Sequence, residues 1–208
     1  CDGFIQLLRT YVVRGKYPSL LLDLWDDYNE RKGSESVRPD MFTASQVYAI
    51  IVLPNGGPDL EAYVFTRPVK SGWHRAASIF WQVARMLANA EKLVAFEHRD
   101  LHWGQILIKD VTSVNTSMGK HLTSLSKIPM DSPYHGIETT IIDLGLARMD
   151  GGDPSIGVHW TPFDEEVFEG DGDYQYDVYR LMRDHHGNDW KGFRPLTNVM
   201  VSVALRCF

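Results

Sequence analysis

Cysteine is scarce. The chain holds two, Cys1 and Cys207, at opposite ends. With no framework spacing between them, a disulfide scaffold is not indicated and a reducing compartment is expected. No long apolar run exists, so no membrane span is expected. Cys1-Asp2-Gly3-Phe4 has neither the basic start nor the apolar centre of a signal peptide. Residue 1 is not Met, and the expectation is a piece of something longer. Positive charge is not in excess: 21 Lys and Arg stand against 27 Asp and Glu, a formal net charge of −6. That argues against direct nucleic-acid binding through phosphate neutralisation and favours a basic partner. Histidines at metal-ligand spacing are missing too. His185 and His186 are adjacent, and adjacent residues on a helix do not face one site.

What is present suffices for one sizeable core: 208 residues, 44% of them hydrophobic. Ile5 to Val13 is expected to form an edge strand, broken at Gly15-Lys16-Tyr17-Pro18. Leu20 to Tyr28 reads as a helix with Ser19 as N-cap. Val47 to Leu53 reads as a buried strand, ended by Pro54-Asn55-Gly56-Gly57-Pro58. His74 to Val94 is the clearest helix: Ile79, Phe80, Val83, Leu87, Ala90 and Val94 recur at helical steps, with Arg75, Gln82, Arg85 and Glu91 between them. Val111 to Gly136, rich in Ser, Thr and Gly, reads as an exposed excursion. Asp164 to Asp177 carries seven acids and no Lys or Arg. Its aromatic residues predict a folded acidic patch suited to a cationic substrate. Asn198 to Leu205 is expected to be a terminal helix.

The stretch with chemical content is Phe96-Glu97-His98-Arg99-Asp100-Leu101-His102-Trp103-Gly104-Gln105-Ile106-Leu107-Ile108, a polar loop running into an apolar strand. Further on, Ile141-Ile142-Asp143-Leu144-Gly145 is a strand that ends in an acid and a Gly turn. An acid in a His-Arg-Asp loop followed by a strand-end acid is similar to the two-carboxylate arrangement of protein kinases. There, one carboxylate receives or orients a substrate hydroxyl and the other holds Mg²⁺ against the ATP phosphates.

Over nearly its whole length the chain resembles the haspin family of atypical eukaryotic serine/threonine kinases. The residues that carry this are Gly15 to Pro18, Leu24-Trp25-Asp26, Gly56 to Glu61, Glu97 to Gly104 and Gly170 to Met182. The resemblance implies an α+β, protein-kinase-like fold: a mainly helical C-lobe (62–208), a hinge (54–61), and remnant strands of an N-lobe (1–53). It implies ATP and Mg²⁺ as cofactors and a threonine in a basic histone-three tail as substrate, hence a nuclear location. By position, Asp100 is the expected base and Asp143 the expected metal ligand. Pro54, Asn55, Gly56, Gly57, Pro58 and Asp59 are the expected hinge and ribose rim, with Leu107 as the adenine floor. Asp59, Glu61, His102, Asp171 and Asp173 are the expected peptide-gripping residues. Asp177 is expected to buttress the catalytic loop, and His98 to pack beneath it.

Two departures qualify the resemblance. Gln105 stands where the family has Asn, the second metal ligand, and its extra methylene displaces the oxygen that Mg²⁺ would use. No Gly-rich loop precedes the hinge, so the chain is expected to enclose ATP only in part and to transfer little phosphate in isolation. Two further readings stay open: an inactive relative that binds basic tails, and a small-molecule phosphotransferase.

Overall fold

The structure, a computed structural model, describes residues 2–63, 69–111, 129–132, 135–153, 155–187 and 189–203. For 69–71, 202 and 203 only the backbone is described. The chain divides into two compact units, Gln6–Pro54 and Cys1–Ile5 with Asn55–Phe208.

In the smaller unit, β1 (Arg9–Arg14) pairs antiparallel with β2 (Val47–Val52), in register from Arg9 opposite Val52 to Arg14 opposite Val47. β2 falls where a strand is expected, but it is not buried; Ile51 is 62% exposed. The strand expected from Ile5 begins only at Arg9, because the Ile5 N–H is taken by the Ile141 carbonyl at 2.9 Å. α1 (Ser19–Lys32) starts one position earlier than expected: Pro18 is the N-cap and Ser19 the first helical residue. The Pro18 carbonyl accepts the Leu21 and Leu22 N–H groups, so the fixed proline backbone does what a Ser side chain would have done. Arg38 grips Asp26 with two parallel bonds of 2.8 and 2.7 Å and also touches Asp40.

In the larger unit α2 spans Val69–Val94, beginning earlier than the sequence pattern suggests. Ile79, Val83, Met86, Leu87 and Ala90 form its buried face. Phe80 does not join them; it is 51% exposed and stands edge-on to Trp81. Gln82 and Arg75, expected outside, are buried. The Gln82 amide donates to the Ile137 carbonyl at 3.2 Å, and its oxygen accepts from the Thr139 N–H at 3.0 Å. It thereby satisfies backbone groups of β4 that, among the described residues, no strand pairs on that side. Arg75 forms an ion pair with Asp110 at 2.7 Å and bonds the Tyr63 hydroxyl.

β3 (Ile106–Asp110) and β4 (Ile137–Ile141) pair antiparallel, and Ile106, Ile108, Ile137 and Ile141 are fully buried. Most of the expected excursion between them lies outside the described residues. β5 (Met149–Asp150) and β6 (Val158–His159) form a short pair the sequence reading does not foresee. A 3-10 turn at Glu165–Phe168 leads to α3 (Tyr174–His186), and α4 (Leu196–Val203) closes the described chain. Phe163, Phe168 and Trp190 build an aromatic layer beneath α3, with Phe163 and Trp190 centroids 4.6 Å apart.

Candidate active site

The loop after α2 is built around a buried acid. Glu97 is fully buried, and five groups converge on it. Its backbone exchanges both hydrogen bonds with Arg148, at 2.9 and 2.8 Å. Its carboxylate accepts from the Arg99 Nε (3.2 Å), His186 Nε2 (3.2 Å), Thr197 Oγ1 (2.8 Å) and the Arg194 N–H (2.7 Å). Burial pushes the Glu97 carboxyl up, but the bonds from His186, Arg99 and the Arg194 N–H outweigh it and hold it at about 2. Burial lowers the Arg99 guanidinium, and Glu97 opposes that. Arg99 also donates to the Trp190 carbonyl at 2.7 Å and lies 5.5 Å from the Trp190 ring.

Arg99 has φ of +69°, an uncommon value for a residue with a side chain. The left-handed backbone turns Arg99 inward to Glu97 while its neighbour Asp100 remains only half-buried. His98 is fully buried beneath the loop. Its Nε2 faces the Ile142 carbonyl at 3.1 Å, and its Nδ1 accepts the Asp100 N–H at 3.4 Å. Burial lowers the His98 imidazole; the Ile142 carbonyl and the charges of Asp100 and Asp143 pull weakly the other way. A neutral ring protonated on Nε2 satisfies both contacts. Ile142 also donates its N–H to the Gln105 carbonyl at 2.9 Å. One residue, immediately before Asp143, is therefore tied to both ends of the loop that carries Asp100.

Asp143 itself has φ of +59°, and its Oδ1 accepts the Gly145 N–H at 3.2 Å. It is exposed at the end of the strand region. Among the described residues no group of three or more His, Cys, Asp or Glu could cage a metal. Gln105 is committed elsewhere. Its amide nitrogen donates to Asp100 Oδ2 at 2.8 Å, and its oxygen accepts the His102 N–H at 3.4 Å. His102 caps the 3-10 turn Trp103–Gln105, its Nδ1 accepting the Gly104 N–H at 3.1 Å.

The expected hinge residues from Asn55 to Asp59 lie flush on β3. A Cβ on Gly56 would come within 2.6 Å of the Leu107 side chain, and one on Gly57 within 2.1 Å of the Ile108 carbonyl. Gly57 also has φ of +90°, so glycine is required twice over. The Pro58 carbonyl accepts the Ile108 N–H at 2.8 Å, and Leu60 donates to the Ile106 carbonyl at 2.8 Å. Asp59 accepts the Ala62 N–H at 2.7 Å. Glu61 is exposed and its carboxylate lies over Gly104, whose Cβ would stand 3.9 Å away. Asp171 and Asp173 are exposed; Asp173 also caps α3 by accepting the Gln175 N–H at 2.9 Å.

The family model described as the haspin-like kinase domain matches residues 4–205. The chain belongs to the haspin kinase family. It is 39% identical over 199 residues to the serine/threonine-protein kinase haspin of Bos taurus, covering 96% of this chain and 24% of that protein. The haspin homolog of Drosophila melanogaster is 36% identical over 202 residues, covering 96% of this chain and 33% of that protein. The Arabidopsis thaliana homolog is 32% identical over 206 residues, covering 99% and 32%. The chain thus spans about a quarter to a third of the length of these relatives. Its fold is α+β and protein-kinase-like.

Against the haspin pattern, one role is reassigned. Asp177 does not buttress the loop; it is exposed and pairs with Arg180 at 2.6 Å. Asn198 on α4 does so: its Oδ1 accepts the His98 N–H and its Nδ2 donates to the Phe96 carbonyl, both at 2.9 Å. Two side chains that the sequence reading passes over reach Asp100 directly. Gln175 Nε2 and the Tyr179 hydroxyl both donate to Asp100 Oδ1, and Gln175 also donates to the Tyr179 oxygen. Burial raises the Tyr179 hydroxyl, and Asp100 adds to that. The i, i+4 spacing of Gln175 and Tyr179 on a predicted helix is the signal that could have paired them.

Proposed function

We propose that this chain carries the peptide-phosphorylating machinery of a haspin-type serine/threonine kinase, moving the ATP γ-phosphate to a threonine of a basic tail such as that of histone three. The observation that carries this reading is the double tether of Ile142. The His98 ring and the Gln105 carbonyl together fix the Asp143 turn to the Asp100 loop. Two carboxylates of different exposure are held on one compact unit. Asp100 is suited to orient the attacking hydroxyl and accept its proton. Asp143 would hold Mg²⁺, which when bound supplies charge neutralisation at the phosphates. The backbone of Asn55 to Asp59, with Leu107 beside it, would receive the adenine. Glu61, Asp171, Asp59 and Asp173, with His102, would be the contacts for Lys and Arg of the peptide. A histone substrate would put the protein in the nucleus.

One observation favours a second reading, a module that binds basic tails without transferring phosphate. The Gln105 amide is spent on Asp100 and His102, leaving Asp143 as the metal anchor without a partner amide. The full-length protein, Mg-ATP and a histone-three tail peptide decide between them. Phosphorylation that disappears in Asp143→Asn supports the kinase. Peptide binding with no transfer supports the binding module. Neither transfer nor binding would remove the histone tail from both readings.

A further inference from the structure

We infer that Gln175 and Tyr179 are positioning residues that lock the Asp100 carboxylate so that Oδ2, not Oδ1, faces the substrate hydroxyl. This rests on the kinase reading above. Gln175 Nε2 and the Tyr179 hydroxyl both donate to Asp100 Oδ1, and the amide and the hydroxyl touch each other. Oδ1 accepts two donors and both its lone pairs are used. Oδ2 accepts one donor, Gln105 Nε2 at 2.8 Å. Its remaining lone pair is the one free to take a proton.

The donors are themselves fixed. Tyr179 is 7% exposed, its ring 5.5 Å from Phe163 in the aromatic layer. Gln175 sits in the first turn of α3, its N–H held by the Asp173 cap. A carboxylate on a short side chain, clamped through one oxygen by a rigid helix, has a single presentation. In the transfer, the hydroxyl oxygen bonds the γ-phosphorus, the bond from that phosphorus to the bridging oxygen of ADP breaks, and the hydroxyl proton passes to Oδ2. Glu97 and Asn198 hold the loop backbone; Gln175 and Tyr179 hold the reacting group.

The test is steady-state kinetics of the full-length protein and its Tyr179→Phe and Gln175→Leu variants, with Tyr176→Phe as control. Misplacing the base by a fraction of its hydrogen-bond geometry should lower kcat by about 10- to 100-fold with KM for ATP and peptide unchanged. Tyr176→Phe removes a hydroxyl from a ring outside the clamp and should leave kcat intact. Unaltered kcat in Tyr179→Phe, or a loss matched by rising KM and a fallen melting temperature, would overturn the inference. A thermal cycle of Asp100→Ala, Tyr179→Phe and the double variant reads the contact without activity. Non-additive shifts in Tm are expected, and additive ones would show the clamp is not formed. A wild type that transfers nothing sinks the kinase reading and the catalytic use of the clamp, while a non-additive cycle would still sustain its geometry.

Discussion

β1–β2 and β3–β4 are antiparallel pairs of similar length with similar apolar sequences, yet they have opposite surroundings. In β3–β4, Ile106, Ile108, Ile137 and Ile141 are all at 0% exposure. In β1–β2, Val12 is 78% and Ile51 62% exposed, and no residue from 6 to 54 is buried. Both pairs make their ladder hydrogen bonds. The difference shows that pairing supplies geometry and a covered face supplies stability, since a two-stranded ribbon alone is marginal in water. Ion pairs divide the same way. Glu97 and Arg99 are both at 0% side-chain exposure, whereas Arg38 and Asp26 stand at 34% and 49%.

The largest contrast should appear when each acid is removed. Glu97→Ala strands Arg99 and His186 without their carboxylate and frees the Arg194 and Thr197 donors. Breaking one side of a buried pair costs about 3–5 kcal/mol. Glu97→Ala should therefore unfold the larger unit well below the wild-type midpoint in thermal melts. Asp26→Ala, cutting a solvent-exposed pair, should leave the midpoint unchanged. An equal loss for both would mean that Arg38–Asp26 is shielded in solution and that the two units are less different than their exposures indicate.

A like-for-like change in the strands sharpens the comparison. Ile108→Ala should cost about 2–5 kcal/mol, the range for emptying a packed site. Ile51→Ala, the same deletion on an exposed face, should stay within about 0.5 kcal/mol. Chemical denaturation of both variants decides it. A large effect at Ile51 would reveal a partner surface lying over β2.

The same contrast explains what the sequence made legible. The Asp100 loop, the strand after it and the strand-end Asp143 could be read, because each depends on neighbours in sequence: a polar loop, an apolar run, a Gly turn. The helix at His74–Val94 was visible by periodicity, but the period alone put Phe80 inside and Gln82 outside. Gln82 is buried because unpaired β4 backbone needed a partner, and hydrophobicity carries no trace of that need. The partners of Asp100 and Glu97 were invisible for another reason. Tyr179 lies 79 positions from Asp100 and His186 lies 89 from Glu97, so only the fold brings them together. The peptide-gripping acids could be named but not weighed, because Asp173 also serves as a helix cap and Asp59 as a turn former.

The last contrast is set by pH, and it should again fall on one unit only. His98 is lowered from its ordinary 6.5 by burial, so the folded state prefers the neutral ring. Its contribution is complete above pH 6.5 and is lost as pH falls below it. Glu97 is lowered from 4.5 to about 2, so the folded state prefers the carboxylate. Its contribution is complete above 4.5 and drains away as pH falls toward 2, amounting to about 3 kcal/mol in full. Both groups bind protons more readily when unfolded, so stability of the larger unit should rise with pH from 2 to 7. The first loss should begin below 6.5 and a steeper one below 4.5. Hydrogen-exchange mass spectrometry at stepped pH reads the units separately. Segments around 96–110 and 174–187 should lose protection across this range, and Glu97→Gln should flatten the lower part. Segments of β1 and β2, lacking a buried titratable group, should exchange with no step in protection. Equal acid sensitivity in both units would mean that protection there is governed by net charge and not by the Glu97 cluster.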